Sequence, residues 1–195
     1  MSVLQGVGAR AAAIFFACAP ACPAAADAAA GLQKAQVCVA CHGPDGVSAN
    51  PTVPSLAGQP AQFVATQLLM YREGKRKDAQ MSPFAANLSN TDLNDLAAYF
   101  AAQKLPARAA DATTDTQTGA RLARELNCVQ CHGATLLGQQ HIPRLAGQQR
   151  EYLKTQLRGF KAQTRFDMDG QMTSAAQPLS EADIDALAAY LAGMR

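Results

Sequence analysis

The chain has 195 residues, enough for one or two small domains. Aromatic residues make up 6%, tryptophan is absent, and 17 basic against 15 acidic residues leave a net charge of +2. That balance offers no electrostatic case for a nucleic-acid partner, and the shortage of bulky side chains leaves each domain little material for a core.

In chain order, residues 1–26 have the features of a secretory signal. Arg10 is a thin positive region, an uncharged stretch runs from Ala11 to Ala26, and Ala24-Ala25-Ala26 before Asp27 is a small-residue cleavage site. The stretch is 16 residues long and interrupted by Pro20 and Pro23. A membrane-spanning helix needs roughly 20 apolar residues. The expectation is cleavage after Ala26 and an exported, periplasmic protein.

A short helix, about 28–40, leads into Cys38-Val39-Ala40-Cys41-His42. A loop with Gly and Pro follows, then an amphipathic helix at about 60–75 with Phe63, Val64, Leu68 and Tyr71 on its apolar face. The next loop carries Met81. The last helix of this half starts at Ser89-x-x-Asp92, a capping box with Asp in place of Glu, and buries Leu93, Leu96, Tyr99 and Phe100. Residues 106–116, rich in Ala, Thr, Asp and Pro, read as a linker.

The second half repeats the first at an offset of 89 to 91 residues. A helix at about 117–130 leads into Cys128-Val129-Gln130-Cys131-His132. Pro143-Arg144-Leu145-Ala146-Gly147-Gln148 matches Pro54-Ser55-Leu56-Ala57-Gly58-Gln59. An amphipathic helix at about 149–164 presents Tyr152, Leu153, Leu157 and Phe160. Met172 precedes the cap Ser180-x-x-Asp183, and Ile184, Leu187, Tyr190 and Leu191 form the final stripe. No segment alternates as a strand would. The fold class is therefore all-α, with a signal at 1–26, one domain at 27–105, a linker at 106–116 and a second domain at 117–195.

Each C-x-x-C-H pentapeptide is the attachment signature of a c-type haem. Cysteines two residues apart can form thioethers to both vinyl groups of one porphyrin, which sets the following histidine under the iron. The expected cofactors are two covalent haem c groups, on Cys38 and Cys41 and on Cys128 and Cys131, with His42 and His132 as proximal ligands. Of six cysteines, the other two, Cys18 and Cys22, lie in the signal, so none remains for a disulfide or a thiolate ligand. Zinc is a poor alternative, because the cysteine pairs are ninety residues apart.

The sixth ligand separates carriers from enzymes. The third histidine, His141, has Thr52 as its repeat partner and reads as an ordinary loop residue. Among the methionines only Met81 and Met172 recur, 40 and 41 residues after Cys41 and Cys131. They are the expected distal ligands. A thioether favours ferrous iron, raises the potential and blocks substrate access. Pro54 and Pro143 are expected in a supporting role, since a backbone carbonyl in the loop after each pentapeptide is well placed to hold the second ring nitrogen of the proximal imidazole.

Cys38-Val39-Ala40-Cys41-His42-Gly43-Pro44-Asp45-Gly46, Pro54-Ser55-Leu56-Ala57-Gly58-Gln59, and Met81 with Leu88-Ser89 resemble the dihaem c-type cytochromes of the c4 kind. The likeness covers both halves of the mature chain. It implies two cytochrome c domains related by a pseudo-twofold axis, His42 with Met81 and His132 with Met172 at the irons, and delivery of electrons to a terminal oxidase or related acceptor. The second loop, Gly133-Ala134-Thr135-Leu136-Leu137-Gly138, departs from the Asp-Gly form of the first, which leaves the loop's conformation open but not the haem.

The function expected is periplasmic electron transfer without catalysis or a small-molecule substrate. A dehydrogenase-bound cytochrome subunit is the alternative; a dihaem peroxidase or thiosulfate-oxidising enzyme fits the ligand count less well. Partners would be redox proteins, namely a donor dehydrogenase or quinol-oxidising complex and an acceptor oxidase, with peripheral membrane association left open. Arg150, Lys154, Arg158, Lys161 and Arg165 recur at helical spacing and form either a solvated face or a docking stripe for an acidic partner. In the first half Ala61, Ala65 and Leu69 take the equivalent positions, facing either the other domain or their own haem.

Overall fold

A computed structural model describes residues 26–107 and 116–194. The expected signal, including Arg10, Cys18 and Cys22, and most of the expected linker lie outside the described residues. Within them the chain is helical, with one isolated bridge, Gln139 to Ile142, and no strand.

In the first half α1 (Ala28–Lys34) continues through a 3-10 turn (Ala35–Cys38) into α2 (Val39–His42). Then come α3 (Ala61–Arg72), α4 (Met81–Ala85) and α5 (Asn90–Ala102). The second half repeats this as α6 (Gln117–Glu125), α7 (Cys128–His132), α8 (Arg150–Lys161), α9 (Gln171–Ala176) and α10 (Glu181–Gly193). Both methionines expected in loops sit instead in the first turns of α4 and α9. The helix expected at 117–130 is broken at Asn127, which takes the left-handed conformation that asparagine tolerates better than most residues.

Each domain is clamped where its first and last helices cross. A Cβ built on Gly31 would fall 2.1 Å from the Asp95 carbonyl oxygen, and one on Gly119 would fall 2.2 Å from that of Ala186. Only glycine allows this approach. Asp27 caps α1, and Lys34 bridges to Asp92 and Asp95 on α5 at 2.7 and 2.6 Å. The Ser89 and Ser180 capping boxes are both formed, with Asp92 and Asp183 answering the serine N–H groups at 2.9 Å. One core gathers Val64, Leu96, Tyr99 and Phe100; the other gathers Leu122, Phe160, Ile184 and Leu187. Tyr190, expected in the second core stripe, is only partly buried.

The two loops after the histidines differ in detail, with a 3-10 turn at Pro44–Gly46 and a positive φ at Asp45 in the first and the Gln139–Ile142 bridge in the second, yet they share one pair of anchoring hydrogen bonds. The Gly46 carbonyl accepts from Leu56 and Ala57 N–H at 2.7 and 3.1 Å, and the Leu136 carbonyl accepts from Leu145 and Ala146 at 2.8 and 3.0 Å. Leu136 therefore takes the place of Gly46 and carries its positive φ, 56° against 75°. A left-handed leucine costs about 1–2 kcal/mol. Compensation comes from the partner residue. A Cβ on Gly46 would strike Phe100 Cδ1 at 2.8 Å, but the counterpart of Phe100 is the smaller Leu191, and Leu136 packs in that space at 1% exposure.

The two domains meet through reciprocal glutamine contacts. Gln59 donates to the Arg144 carbonyl and accepts from its N–H, both at 3.0 Å. Gln148 donates to the Ser55 carbonyl at 2.9 Å and accepts from its N–H at 2.8 Å. Because Gln59 is the repeat of Gln148 and Ser55 that of Arg144, the exchange is pseudo-twofold. Each buried bond of this kind contributes about 1 kcal/mol net. Gln149 Nε2 adds a bond to the Ser48 carbonyl, and Tyr152 N–H donates to the Pro51 carbonyl at 3.1 Å.

Candidate haem sites

The pentapeptides fold as single helical turns, which bring Cys38, Cys41 and His42, or Cys128, Cys131 and His132, onto one short element. Cys41 and Cys131 are exposed, whereas Cys38 and Cys128 are partly buried and all four are free. Burial pushes the Cys38 and Cys128 thiols up, with the neighbouring cysteine acting in the same direction. Gly43 and Gly133 end these turns at φ values of 77° and 84°, a region where glycine carries no Cβ penalty, and the chain turns away behind each histidine.

Both histidines are buried, at 5% and 3% exposure. His42 Nδ1 lies 2.9 Å from the Pro54 carbonyl oxygen and His132 Nδ1 lies 2.8 Å from that of Pro143. A carbonyl can only accept, so Nδ1 carries the proton and Nε2 holds the lone pair. Burial lowers both imidazole pKa values despite the opposing carbonyls, which keeps Nε2 unprotonated at neutral pH. No hydrogen bond engages Nε2 among the described residues. This is the tautomer and orientation an iron ligand requires.

Asp78 and Asp167 anchor the methionine segments, a role that the sequence reading missed. Asp78 Oδ1 accepts from the N–H groups of Gln80 and Met81, both at 2.9 Å. Asp167 accepts from Met172 N–H at 2.8 Å and from the Thr173 hydroxyl at 3.1 Å. Burial works against the Asp167 charge, but hydrogen bonds from Met172, Asp169 and Thr173 outweigh it and hold the carboxyl below its usual range. Met172 and Cys128 both pack against the second core. Met168 is 72% exposed, and Met70 lies buried within α3. His141 is exposed in the loop containing the Gln139–Ile142 bridge.

Between the domains lie two guanidiniums. Arg76 stacks 4.6 Å from the Tyr71 ring centroid and Arg165 stacks 4.5 Å from that of Phe160. Arg76 donates to Gln67, Gln156 and the Tyr152 hydroxyl at 2.6, 3.1 and 3.2 Å, and Arg165 donates to Gln156. Burial, joined by Arg76 and opposed by Tyr152, pushes Arg165 down to about 10. Burial alone would raise the Tyr152 phenol, yet the two guanidiniums bring it below its usual value. No carboxylate lies within ion-pair distance of either arginine among the described residues, and Arg165 Nε is buried without a partner. Two uncompensated cations with a vacant donor fit the carboxylates of a porphyrin.

The five-cation stripe on and after α8 is not a free surface. Lys154 pairs with Asp185 at 2.8 Å, Arg158 with Glu181 at 2.7 Å, Lys161 donates to the Gln177 carbonyl at 2.8 Å, and Arg165 turns into the domain interface. Ala61, Ala65 and Leu69 line a 520 Å³ groove with Leu93 and Ala97 of their own domain. Among the described residues no group of three or more His, Cys, Asp or Glu side chains could hold a metal ion by itself. No helix there is long and apolar enough to cross a membrane.

Residues 116–195 match the family model described as cytochrome c, and residues 24–100 match that of cytochrome c oxidase, cbb3-type, subunit III. The chain is 40% identical to cytochrome c4 of Pseudomonas aeruginosa over 182 residues, covering 88% of this chain and 90% of that one. It is 34% identical to a thiosulfate dehydrogenase electron acceptor of Thiomonas intermedia, covering 87% and 83% respectively. Reduced recombinant cytochrome c4 from Pseudomonas stutzeri superposes with a TM-score of 0.82 at 35% identity, covering 88% of this chain and all (100%) of the other.

Proposed function

The chain belongs to the cytochrome c4 family, whose members carry electrons on two covalent haem c groups, and we propose a specific assignment of its residues to that task. Cys38 and Cys41 hold one haem and Cys128 and Cys131 the other; His42 with Met81 and His132 with Met172 are the axial pairs. Bound haem c supplies an iron that alternates between ferric and ferrous, one electron per domain.

The protein's own residues orient and insulate. The Pro54 and Pro143 carbonyls hold Nδ1–H of each imidazole, so that Nε2 faces away from the loop. Asp78 and Asp167 hold the amides at each methionine segment, which favours one position for each thioether. Arg76 and Arg165 are placed to neutralise carboxylates at the domain boundary. Each donor is already oriented before any change of charge, which lowers the reorganisation that a change of oxidation state demands. The observation that carries this reading is the duplicated, buried imidazole with Nδ1 bonded to a proline carbonyl and Nε2 unengaged.

Export to the periplasm, cleavage after Ala26 and the domain limits 27–105 and 117–195 belong to the same proposal. So does exchange with a donor dehydrogenase or quinol-oxidising complex and with an acceptor oxidase. An acidic partner on the α8 stripe has less support, since four of its five cations already have partners in the chain. A second reading, an acceptor serving a dehydrogenase directly, is favoured by the likeness to the thiosulfate dehydrogenase electron acceptor.

The experiment is a redox titration of the wild type and of Met81→Ala and Met172→Ala. Each substitution is expected to lower the potential of one haem, remove its methionine–iron absorption near the red end of the spectrum, and admit cyanide at that haem alone. A wild type that binds cyanide readily at either haem, or substitutions that leave both spectra unchanged, would refute the assignment.

A further inference from the structure

The peptide units after Pro54 and Pro143 each serve two masters. The Pro54–Ser55 peptide accepts from His42 Nδ1 on its carbonyl side, at 2.9 Å, and donates to Gln148 Oε1 of the other domain on its N–H side, at 2.8 Å. The Pro143–Arg144 peptide accepts from His132 at 2.8 Å and donates to Gln59 Oε1 of the other domain at 3.0 Å. Ser55, Gln59 and Gln148 are at most 5% exposed, while Pro54, Pro143 and Arg144 are half-buried, so the glutamine ends of both chains of bonds are shielded from water.

We propose that Gln59 and Gln148 are cross-domain positioning residues, each setting the potential of the haem in the opposite domain. Amide resonance ties the two sides of one peptide together. An acceptor on the N–H draws positive charge to nitrogen and leaves the carbonyl oxygen more negative. That oxygen then accepts more strongly from the imidazole, which gains anionic character and stabilises ferric iron. Serial hydrogen bonds shielded from bulk water strengthen one another in this way. By linkage the effect runs both ways: oxidation in one domain tightens the glutamine contact from the other. The domain interface is therefore also a redox contact, with the sensing side chain of each haem contributed by its neighbour.

This inference rests on His42 and His132 being the proximal ligands. That premise has its own test: His42→Gly should lose the low-spin spectrum of one haem and regain it with added imidazole. Failure of imidazole to restore it would remove the ligand assignment, whatever the glutamine variants do.

The inference itself is tested by titrating Gln148→Leu and Gln148→Glu at pH 8, with the two haems distinguished by the NMR resonances of their methyl groups. Leucine removes the acceptor, whereas glutamate makes it anionic. Leucine is expected to raise the ferrous-to-ferric ratio of the N-terminal haem at fixed potential by roughly threefold to tenfold, tenfold corresponding to about 59 mV for one electron. Glutamate is expected to lower it, and the C-terminal haem should change less than about twofold in both, against the outer-sphere effects typical of metal sites. Gln59→Leu and Gln59→Glu should do the same to the C-terminal haem. A merely structural glutamine would move both haems in one direction for either replacement. Equal shifts in the two haems, shifts of one sign, shifts confined to the variant's own domain, or none at all would each overturn the proposal. If a leucine variant fails to assemble, the glutamate variant at that position decides by the same criteria.

Discussion

Leu136 offers the sharpest test of how the second domain holds its haem loop. It sits in the left-handed region at φ 56°, 1% exposed, against Ala146, Leu153, Ala188 and Leu191. Leu136→Ala keeps the backbone strain and opens a cavity, so a loss of about 2–5 kcal/mol is expected. Leu136→Gly opens a slightly larger cavity but relieves the left-handed penalty, about 1–2 kcal/mol. Glycine is therefore expected to be no worse than alanine here, although at an ordinary helical or strand site it would be worse by about 0.5–1 kcal/mol. The first domain indicates the remedy, because there Gly46 faces Phe100. Leu136→Gly with Leu191→Phe rebuilds that pair, and the double variant should recover at least about 1 kcal/mol over Leu136→Gly, a coupling typical of residues in contact. Native-state hydrogen exchange at the α10 amides of Ile184, Leu187 and Leu191 reads the second domain separately, which global unfolding of a two-domain haem protein does not. A Leu136→Gly variant clearly less stable than Leu136→Ala, or a double variant with no recovery, would refute this account of the loop.

The Lys34 cluster predicts an acid-sensitive first domain. The Asp92 carboxyl is held at about 2, first by the Lys34 hydrogen bond and then by Ser89, and Asp95 is lowered by Lys34 and the Asp27 N–H. A carboxylate with a lowered folded-state pKa stabilises the fold fully above its unfolded value, near pH 4, and loses that contribution as pH falls towards 2. The α1–α5 contact should therefore loosen over that window. Lys34→Met should flatten the dependence, and a pH titration of amide protection in α1 that is unchanged by Lys34→Met would exclude the mechanism. On α8, Lys154→Gln with Arg158→Gln removes ion pairs that are partly exposed, with Asp185 and Glu181 at 47% and 62%. The stability loss should stay within about 1 kcal/mol per pair, and the salt dependence of electron uptake from the donor should be unchanged. A much weaker salt dependence would return the stripe to the role of a docking surface.

Much of this protein is local and so was legible in one dimension. The duplicated C-x-x-C-H turns, the serine caps of α5 and α10, the apolar stripes of α3 and α8, and the 89-to-91-residue repeat all depend on neighbours within a few positions or on one copy matching another. Such features are encoded by residue type and spacing, so the all-α class, the two haem motifs and the repeated methionines followed directly. The features left open or unread share one property, which is that their meaning lies in a partner distant along the chain. The shared anchor at Leu136 was hidden because the sequence pairs Gly46 with Phe100 and Leu136 with Leu191 only across 54 and 55 positions. The α8 stripe looked like a free cationic face because Asp185 and Glu181 reach it only when α10 packs there. Gly31 and Gly119 gave no signal of a helix crossing, since the obstructing carbonyls of Asp95 and Ala186 belong to the last helices. Gln59 and Gln148 showed in the sequence only as a repeated pair; folding brings segments 85 and 93 residues apart together and leaves each one bonded to the peptide behind the other domain's histidine. Residue type and spacing determined which atoms can hold iron; tertiary packing decided what those atoms feel, because desolvation and charge compensation depend on distance in space rather than along the chain.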